Sequence, residues 1–171
     1  GSDLSLQGLS KKIVVVFGAS RGIGACIAEL ARGAGAHTVA VSRQGGVDVA
    51  DEAAVRNVMA GAMKAHGRID MVVNTAGLLR TGALSGQSYA LIDEQLAVNL
   101  RGSIVVAREA FEAMRDSGGC IALFTSSSYT RGRARSCVYS ATKAAVVNLM
   151  QGLAQEYQPF GVRINAINPE R

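Results

Sequence analysis

The sequence predicts an α/β domain built on a doubly wound parallel sheet. Short apolar runs rich in β-branched residues alternate with longer, alanine-rich segments in which apolar residues recur at helical spacing. Because the short runs are apolar on both faces, they are typical of strands that helices cover from both sides. The length of 171 residues fits a single domain, and a hydrophobic content of 49% supplies its core.

The strands are predicted from β-branched runs bounded by turn residues, at residues 13–17, 38–42, 69–74, 120–126 and 162–167. One connection between them is unusually short. Parallel strands need a crossover of about a dozen residues, and residues 43–50 provide less than that before the next helix begins. We therefore expect the third strand of a complete doubly wound sheet to be abbreviated or absent.

The helices lie between these strands, at residues 22–34, 51–66, 88–115 and 139–157. The apolar residues of the first helix share one face and predict its buried side: Ile23, Ile27, Leu30 and Ala31. The second helix begins with Asp51 and Glu52, and negative charge favours a helix N-terminus. A break is expected in the third helix near Asn99.

The charge pattern is compatible with two interpretations of the basic surface. The chain has 18 Lys and Arg against 13 Asp and Glu, a net charge of +5. Arginine suits bidentate contact with phosphate, but the arginines are scattered, aromatic residues reach only 5% and Trp is absent. We therefore expect no nucleic-acid partner. A site for a small phosphorylated molecule and a simply solvated basic surface both fit the composition.

Membrane, secretory and metal-binding classes are not indicated. No apolar run reaches the roughly 18 residues of a membrane helix, and no secretory signal opens the chain, so we expect no membrane partner. Cys26, Cys120 and Cys137 lack metal-ligand spacing, which predicts no metal site and thiols kept reduced in a cytoplasmic compartment. Gly1 and Ser2 are interpreted as a cloning remnant, which leaves residues 3–171 as the domain.

The first strand runs into a glycine-rich turn that opens a helix. Gly18 would permit the tight turn, Gly22 would let the backbone approach a pyrophosphate, and Gly24 would let the helix pack on the strand. The free N–H groups and the positive dipole end of the helix favour phosphate. The turn therefore predicts a Rossmann-type dinucleotide site, with a glycine turn that binds nothing as the alternative. Further contacts are expected from Ser20, Arg21 and Ile23.

The end of the second strand indicates which dinucleotide binds. NAD sites usually present Asp or Glu about 20 residues after the turn, whereas this chain has Ser42 and Arg43 there. An arginine would pair with a 2′-phosphate, and Arg21 could do so from the glycine turn. The pattern favours NADP(H), although Arg43 alone would also fit an exposed strand end.

A tyrosine and a lysine lie on one face of the last helix, because Tyr139 and Lys143 are one helical turn apart. A nearby ammonium favours the phenolate and lowers the pKa of a tyrosine, which then exchanges protons near neutrality. Such a pair is common by chance. Here Ser126 ends the preceding strand, and Asn99 marks the break in the helix before it.

Taken together, these motifs resemble the short-chain dehydrogenase/reductase family over essentially the whole chain. The Asn-Thr-Ala-Gly run at residues 74–77 stands where the family has Asn-Asn-Ala-Gly, and the glycine spacing differs from that of the extended epimerase branch. The other matching residues are Gly18, Gly22, Gly24, Val98, Asn99, Ser126, Tyr139 and Lys143.

The resemblance implies NADP(H)-dependent reduction of a ketone, or oxidation of an alcohol. Tyr139 would exchange a proton with the substrate oxygen, and Lys143 would lower the pKa of that tyrosine and bind the nicotinamide ribose. Ser126 would orient the substrate oxygen, and Asn99 would hold a water in the proton relay. The further cofactor contacts that it implies are Asp48, Val49, Asn74, Ala76, Gly77, Asn168 and Pro169.

The segment before the last helix is expected to overhang the substrate. Its arginines at 131, 133 and 135 would suit an anionic substrate such as a phosphate ester, or else be surface or dimer-contact residues. Residues 125–133 and 167–171 resemble the reductase part of bifunctional enzymes that join a ribitol-phosphate cytidylyltransferase to a ribulose 5-phosphate reductase. This implies a small phosphorylated polyol as substrate and a chain fused to, or excised from, such a transferase. The implied substrate contacts are Ser126, Ser128, Arg131 and Tyr139.

Several positions depart from the family pattern. Phe17 replaces a Thr whose hydroxyl pins the glycine turn, Thr75 replaces the second Asn, and Glu170 stands where Gly is usual. The family continues past this point with a lid segment and a last strand, so we expect the C-terminal part of the domain to be absent. A catalytically inactive dinucleotide-binding or dimerisation domain of a larger enzyme is therefore the alternative function. The helix at 139–157 is a dimer face in the family, which predicts a homo-oligomer, a dimer or a tetramer.

Overall fold

A five-stranded, wholly parallel sheet forms the centre of the molecule in a computed structural model that describes residues 6–125 and 131–168. The order of the strands is β2-β1-β3-β4-β5, so the chain starts near one edge and crosses to the other. The predicted doubly wound fold is confirmed. The strands are β1 (Ile13–Phe17), β2 (His37–Val41), β3 (Met71–Asn74), β4 (Gly119–Phe124) and β5 (Val162–Ile167).

Helices cover both faces of the sheet, as the doubly apolar strands predict. Alternate side chains of β1 pack on opposite faces of the sheet. Val14 and Val16 pack in the cluster under α1, whereas Val15 and Phe17 pack with the other helices. The helices are α1 (Gly22–Gly33), α2 (Glu52–His66), α3 (Tyr89–Gln95), α4 (Gly102–Met114) and α5 (Cys137–Tyr157). No helix within the described residues is long and apolar enough to cross a membrane.

The face that α1 buries agrees with the prediction at Ala31 and in part at Ile27, which packs against the core, but not at Leu30. Gly24, Ala28 and Ala31 are the buried residues, while Leu30 is 49% exposed. Small residues let the helix axis approach the sheet closely, and this rotates the large Leu30 side chain outward. The prediction of Leu30 on the buried face was wrong because side-chain size, rather than hydropathy, decides which face fits against the strands.

The short connection after β2 contains no strand, which confirms the abbreviated third strand. Turn hydrogen bonds organise it instead: the Val47 amide donates to the Ser42 carbonyl (3.0 Å), and the Asp51 amide donates to the Asp48 carbonyl (3.0 Å). The Asp51 side chain then caps α2 by accepting from the amides of its second and third residues. Val49, in the middle of this connection, is 4% exposed and belongs to the core.

The predicted break near Asn99 is a turn of π-helix. It spans Leu96–Arg101 and joins α3 to α4 without interrupting the helical path. Single π-turns of this kind frequently occur at functional sites. The turn is also tied to the short connection, because Arg101 Nε donates to the Ala50 carbonyl at 3.0 Å.

Two helical glycines provide a matched test of this packing. A Cβ on Gly102 would lie 2.5 Å from Cγ2 of the buried Val49, whereas a Cβ on Gly61 would meet nothing within 4 Å. We expect Gly102→Ala to lower the free energy of unfolding by about 1–3 kcal/mol through overpacking. Gly61→Ala should raise it by about 0.5–1 kcal/mol through helix propensity. Urea denaturation measures both, and equal effects would contradict the contact between α4 and the short connection.

Candidate active site

A cleft of about 310 Å³ opens where the strands end, at the carboxyl edge of the sheet. This edge is where open parallel sheets bind their ligands. The cleft brings together most of the residues that the sequence predicts for a dinucleotide. Those lining it are Gly18, Ser20, Arg21, Ile23, Gly24, Arg43, Asp48, Val49, Ala76 and Gly77.

The glycine turn is built as its spacing predicts. Gly18 has φ +79°, and a Cβ there would lie 2.7 Å from the Ala76 amide nitrogen. At Gly24 a Cβ would clash with the Gly18 carbonyl, so the absence of a side chain lets α1 pack against β1. At Gly22, in contrast, a Cβ would meet nothing within 4 Å, which leaves the space beside the turn open.

A threonine outside the turn holds it in place. Thr75 Oγ1 donates to the Phe17 carbonyl at 2.8 Å and lies 3.2 Å from the Gly18 carbonyl. The hydroxyl that Phe17 lacks is therefore supplied from the end of β3, at the second position that departs from the family pattern. The sequence shows both substitutions but not that one compensates for the other, because their contact depends on the pairing of β1 with β3.

Two arginines lie at the end of the cleft where a dinucleotide's adenosine half is expected. Arg21 stands at the N-cap position of α1, whose first turn receives no side-chain cap within the described residues. Arg43 follows β2 and pairs with Glu94 of α3, Nη1 to Oε1 at 3.5 Å. Both partners are well exposed, so this ion pair is weak and exchanges readily for a stronger anion. The role of Glu94 was not visible from the sequence.

The remaining predicted contacts shape the walls of the cleft. The Asp48 carboxylate accepts from the Ala50 amide (2.9 Å), and Ser42 Oγ accepts from the Gly45 amide (3.1 Å), so both side chains organise the short connection. Asn74 is 2% exposed, and its Oδ1 accepts from the Ala76 amide at 3.0 Å. This bond orders the backbone that continues past β3 into the cleft.

The buried amide of Asn99 joins three segments of the site. Its Oδ1 accepts from the Leu78 amide at 2.7 Å, and its Nδ2 donates to the Leu78 carbonyl at 2.8 Å. The same Nδ2 lies 3.3 Å from Thr142 Oγ1, which itself donates to the Tyr139 carbonyl at 2.7 Å. Thr142, which the sequence did not single out, thus fixes α5 relative to the π-turn.

Tyr139 and Lys143 lie on the same face of α5, next to the Asn99 amide. Tyr139 is 8% exposed and Lys143 only 2%, and the Lys143 Nζ lies 5.6 Å from the centre of the tyrosine ring. That Nζ donates to the Phe124 carbonyl at the end of β4 (3.2 Å). A Cβ on Gly77 would come within 3.8 Å of the Nζ, so the glycine keeps the approach from the cleft free.

Burial gives the ammonium of Lys143 an unusual pKa. Desolvation lowers it from the ordinary value of 10.5 to about 8, because the interior favours the uncharged amine. The folded protein therefore carries this charge at a cost in stability. Lys143 does not itself line the cleft, but its Nζ donates to the carbonyl of Phe124, which does, and strongly shifted groups are typical of functional sites.

Some predicted residues are not part of this constellation. Ser126, Ser128 and Pro169 lie outside the described residues. Arg131 is exposed and is not among the residues that line the cleft. Asn168 follows β5 at the same edge of the sheet and is half-buried.

The cleft fits a dinucleotide. The uncapped first turn of α1 and the open space at Gly22 suit a pyrophosphate. The residues that would hold the group are the glycine turn, Arg21 and Arg43 at one end and Tyr139 with Lys143 at the other.

Solved structures with the same fold define the class of the protein. The chain matches a ligand-free aldohexose dehydrogenase of Thermoplasma acidophilum with a TM-score of 0.86 and 26% identity, over 95% of this chain and 68% of that one. It matches a double mutant of a Serratia marcescens short-chain dehydrogenase/reductase with a TM-score of 0.84 and 30% identity, over 94% and 77%. Fold and cleft are thus those of a Rossmann-type oxidoreductase.

The sequence comparison gives the family. Residues 45–170 match the model of the short chain dehydrogenase family, and the chain belongs to this family. An uncharacterized oxidoreductase of Thermotoga maritima is 34% identical over 171 residues, which cover 95% of this chain and 67% of the relative. The D-threitol dehydrogenase of Mycolicibacterium smegmatis is 32% identical over 188 residues, which cover 98% and 71%.

A third relative is larger than this chain. The bifunctional ribulose 5-phosphate reductase/CDP-ribitol pyrophosphorylase of Haemophilus influenzae is 40% identical over 166 residues. The match covers 97% of this chain but only 35% of that protein. The chain therefore spans about a third of this relative, and the similarity is to one part of it.

The cost of burying Lys143 leads to a stability prediction. The unfolded state binds more protons than the folded state between about pH 8 and pH 10.5, so stability rises with pH through that window. Below pH 8 the penalty is fully present. We expect Lys143→Met to raise the free energy of unfolding at pH 7 by about 1–3 kcal/mol and to remove the rise between pH 8 and 10.5.

Chemical denaturation across pH 6–10.5 measures this effect. Lys64→Met, at an exposed position of α2, is the matched control and should leave both the stability and its pH dependence unchanged. A loss of stability at pH 7 in Lys143→Met would contradict the desolvation argument.

Proposed function

We propose that the chain is an NADP(H)-dependent reductase that converts the ketone of a small phosphorylated polyol, such as ribulose 5-phosphate, into an alcohol. The observation that carries the proposal is the 40% identity over 97% of the chain to a protein named as a ribulose 5-phosphate reductase. The convergence of Asn99, Tyr139 and Lys143 beside the cleft supports it, because these side chains supply the proton transfer that carbonyl reduction requires.

The choice of NADP(H) rests on charge. Arg21 and Arg43 both line the cleft, and the residues that directly follow β2, Ser42 and Arg43, include no Asp or Glu that would repel a 2′-phosphate. The phosphate would displace Glu94 from Arg43, because a dianion pairs more strongly with a guanidinium than an exposed carboxylate does. When bound, the dinucleotide supplies the hydride.

The residues of α5 perform the proton chemistry in this proposal. Tyr139 donates its phenolic proton to the substrate oxygen, and the Lys143 ammonium stabilises the phenolate that remains. Asn99 holds the segment after β3 and α5 in register, so that the two groups keep their positions during the reaction. Ser126 would hydrogen-bond the same substrate oxygen, and this role stays a prediction.

The phosphate of the substrate would be held by the basic segment before α5. Residues 131–135 carry Arg131, Arg133 and Arg135, all exposed, and forked guanidinium contacts are well matched to a phosphate ester. The segment leads directly into the helix that bears Tyr139, so an anion bound there would present a neighbouring carbonyl to the phenol.

The proposal includes partners. An apolar groove between α4 and α5, lined by Ile104, Phe111, Leu149 and Leu153, supports a homo-oligomer formed through these helices. Fusion to a cytidylyltransferase is supported by the bifunctional relative, of which this chain covers 35%.

The first test is turnover. The protein should oxidise NADPH in the presence of ribulose 5-phosphate, and Tyr139→Phe should lower kcat/KM by about 10²- to 10⁴-fold, the usual contribution of a general acid. Tyr89→Phe, at a position 84% exposed on α3, is the matched control and should behave as the parent. NADPH binding without turnover of any ketone would instead support the inactive dinucleotide-binding domain.

The second test concerns cofactor choice. Arg43→Ala should weaken NADPH binding about 10- to 100-fold, the loss of a charge-assisted contact, and leave NADH binding unchanged. Arg56→Ala removes an exposed arginine that pairs with Glu109 and serves as the control. Titration calorimetry with both dinucleotides gives the ratio of the Kd values for NADPH and NADH. If this ratio is unaltered in Arg43→Ala, Arg43 does not select NADP(H).

A further inference from the structure

A glutamine is completely buried at the end of α3. Gln95 is 0% exposed. Its Nε2 donates to Gln87 Oε1 at 3.0 Å and lies 3.4 Å from the Leu91 carbonyl, while its Oε1 has no partner within the part of the chain that the structure describes. A buried acceptor without a partner is unfavourable, and an apolar side chain of the same size would fill this position at lower cost. Local rules of this kind are most often broken for function.

The bond that Gln95 makes continues outward as a relay. Gln87 Nε2 donates to the Gly82 carbonyl at 3.1 Å, and the Gly82 amide donates to the Arg135 carbonyl at 2.8 Å. The amide pair of Gln95 and Gln87 thus reaches, through the backbone of one residue, Gly82, the basic segment at residues 131–135. The relay links the interior of α3 to the loop that precedes α5.

The basic segment needs such support. Arg135 has φ +69°, in the left-handed region that an arginine rarely adopts. Conformations of this kind persist where the surroundings hold them. The contact from Gly82 holds Arg135 from outside the segment, and the turn bond from the Ser136 amide to the Arg133 carbonyl (3.1 Å) holds it from within.

We propose that the hydrogen-bonded amides of the buried Gln95 and the half-buried Gln87 are a positioning device that fixes the basic segment for recognition of the substrate's anionic group. The inference rests on the proposed function, since it assigns the residues that set specificity for a phosphorylated over an uncharged ketone. Gln95 touches neither substrate nor cofactor and acts only through Gln87 and Gly82.

The experiment uses Gln95→Met, which keeps the length of the side chain and removes its amide. We expect the KM for ribulose 5-phosphate to rise about tenfold, with kcat, the KM for unphosphorylated ribulose and the Kd for NADPH unchanged. Thermal stability should stay level or rise, because the orphaned acceptor is removed. The double variant Gln87→Met/Gln95→Met should show no further rise in KM, since both changes break one relay. Gln155→Met, at an exposed position of α5, is the control.

Three results would overturn the positioning role. An equal change in KM for both ketones, or a fall in kcat together with stability, is what a purely structural glutamine would give. Additive effects in the double variant are the third.

Hydrogen exchange keeps the inference testable apart from the activity. If the parent protein does not reduce ribulose 5-phosphate, the proposed function fails. The hydrogen-exchange rate of the Gly82 amide then tests whether Gln95 positions the basic segment. Its exchange should be faster in Gln95→Met than in the parent and unchanged in Gln155→Met. Equal exchange in the parent and in Gln95→Met would contradict the relay.

Discussion

The site depends on the single buried amide of Asn99. Its two polar atoms reach the segment after β3 and the first turns of α5, both through hydrogen bonds of 3.3 Å or less. The π-turn places this side chain at the depth where these contacts are possible. Because Lys143 follows Thr142 directly, the amide sets the position of the amine relative to the cleft. Loss of the amide would leave both backbone groups of the half-buried Leu78 without this partner, a cost that an apolar residue could not offset.

The position set by Asn99 is unfavourable for the lysine itself. Desolvation lowers the pKa of Lys143 to about 8, and among the described residues no carboxylate forms an ion pair with it. The chain thus holds a buried cation that donates to the Phe124 carbonyl. Under the proposed function, this group would gain a hydrogen-bond partner when the ribose of the dinucleotide binds.

The sequence predicts the elements well and their side-chain contacts less well. Each strand was found within two residues of its predicted ends, because a doubly apolar strand is a strong local signal. Contacts across the sheet have no such signal. His37 and His66, for which the sequence showed no partner, stack with ring centroids 5.4 Å apart because β2 begins beside the end of α2. The relay from Gln95 is likewise invisible, since three separate segments must be folded before its amides meet.

At the carboxyl edge of the sheet, two contacts are kept although the residues that make them differ from those usual in the family. Phe17 lacks the hydroxyl of the usual threonine, yet the carbonyls of Phe17 and Gly18 still receive one, from Thr75. The strand that usually follows β2 is missing, yet Val49 still fills the core against α4 from a turn. In both cases the residue changes and the contact survives, because the turn geometry and the packing are what the cleft requires. Departures from a family's residues at this edge therefore argue against function only where the contact itself is lost, and the contacts of Asn99 with Leu78 and Thr142, and of Lys143 with Phe124, are present.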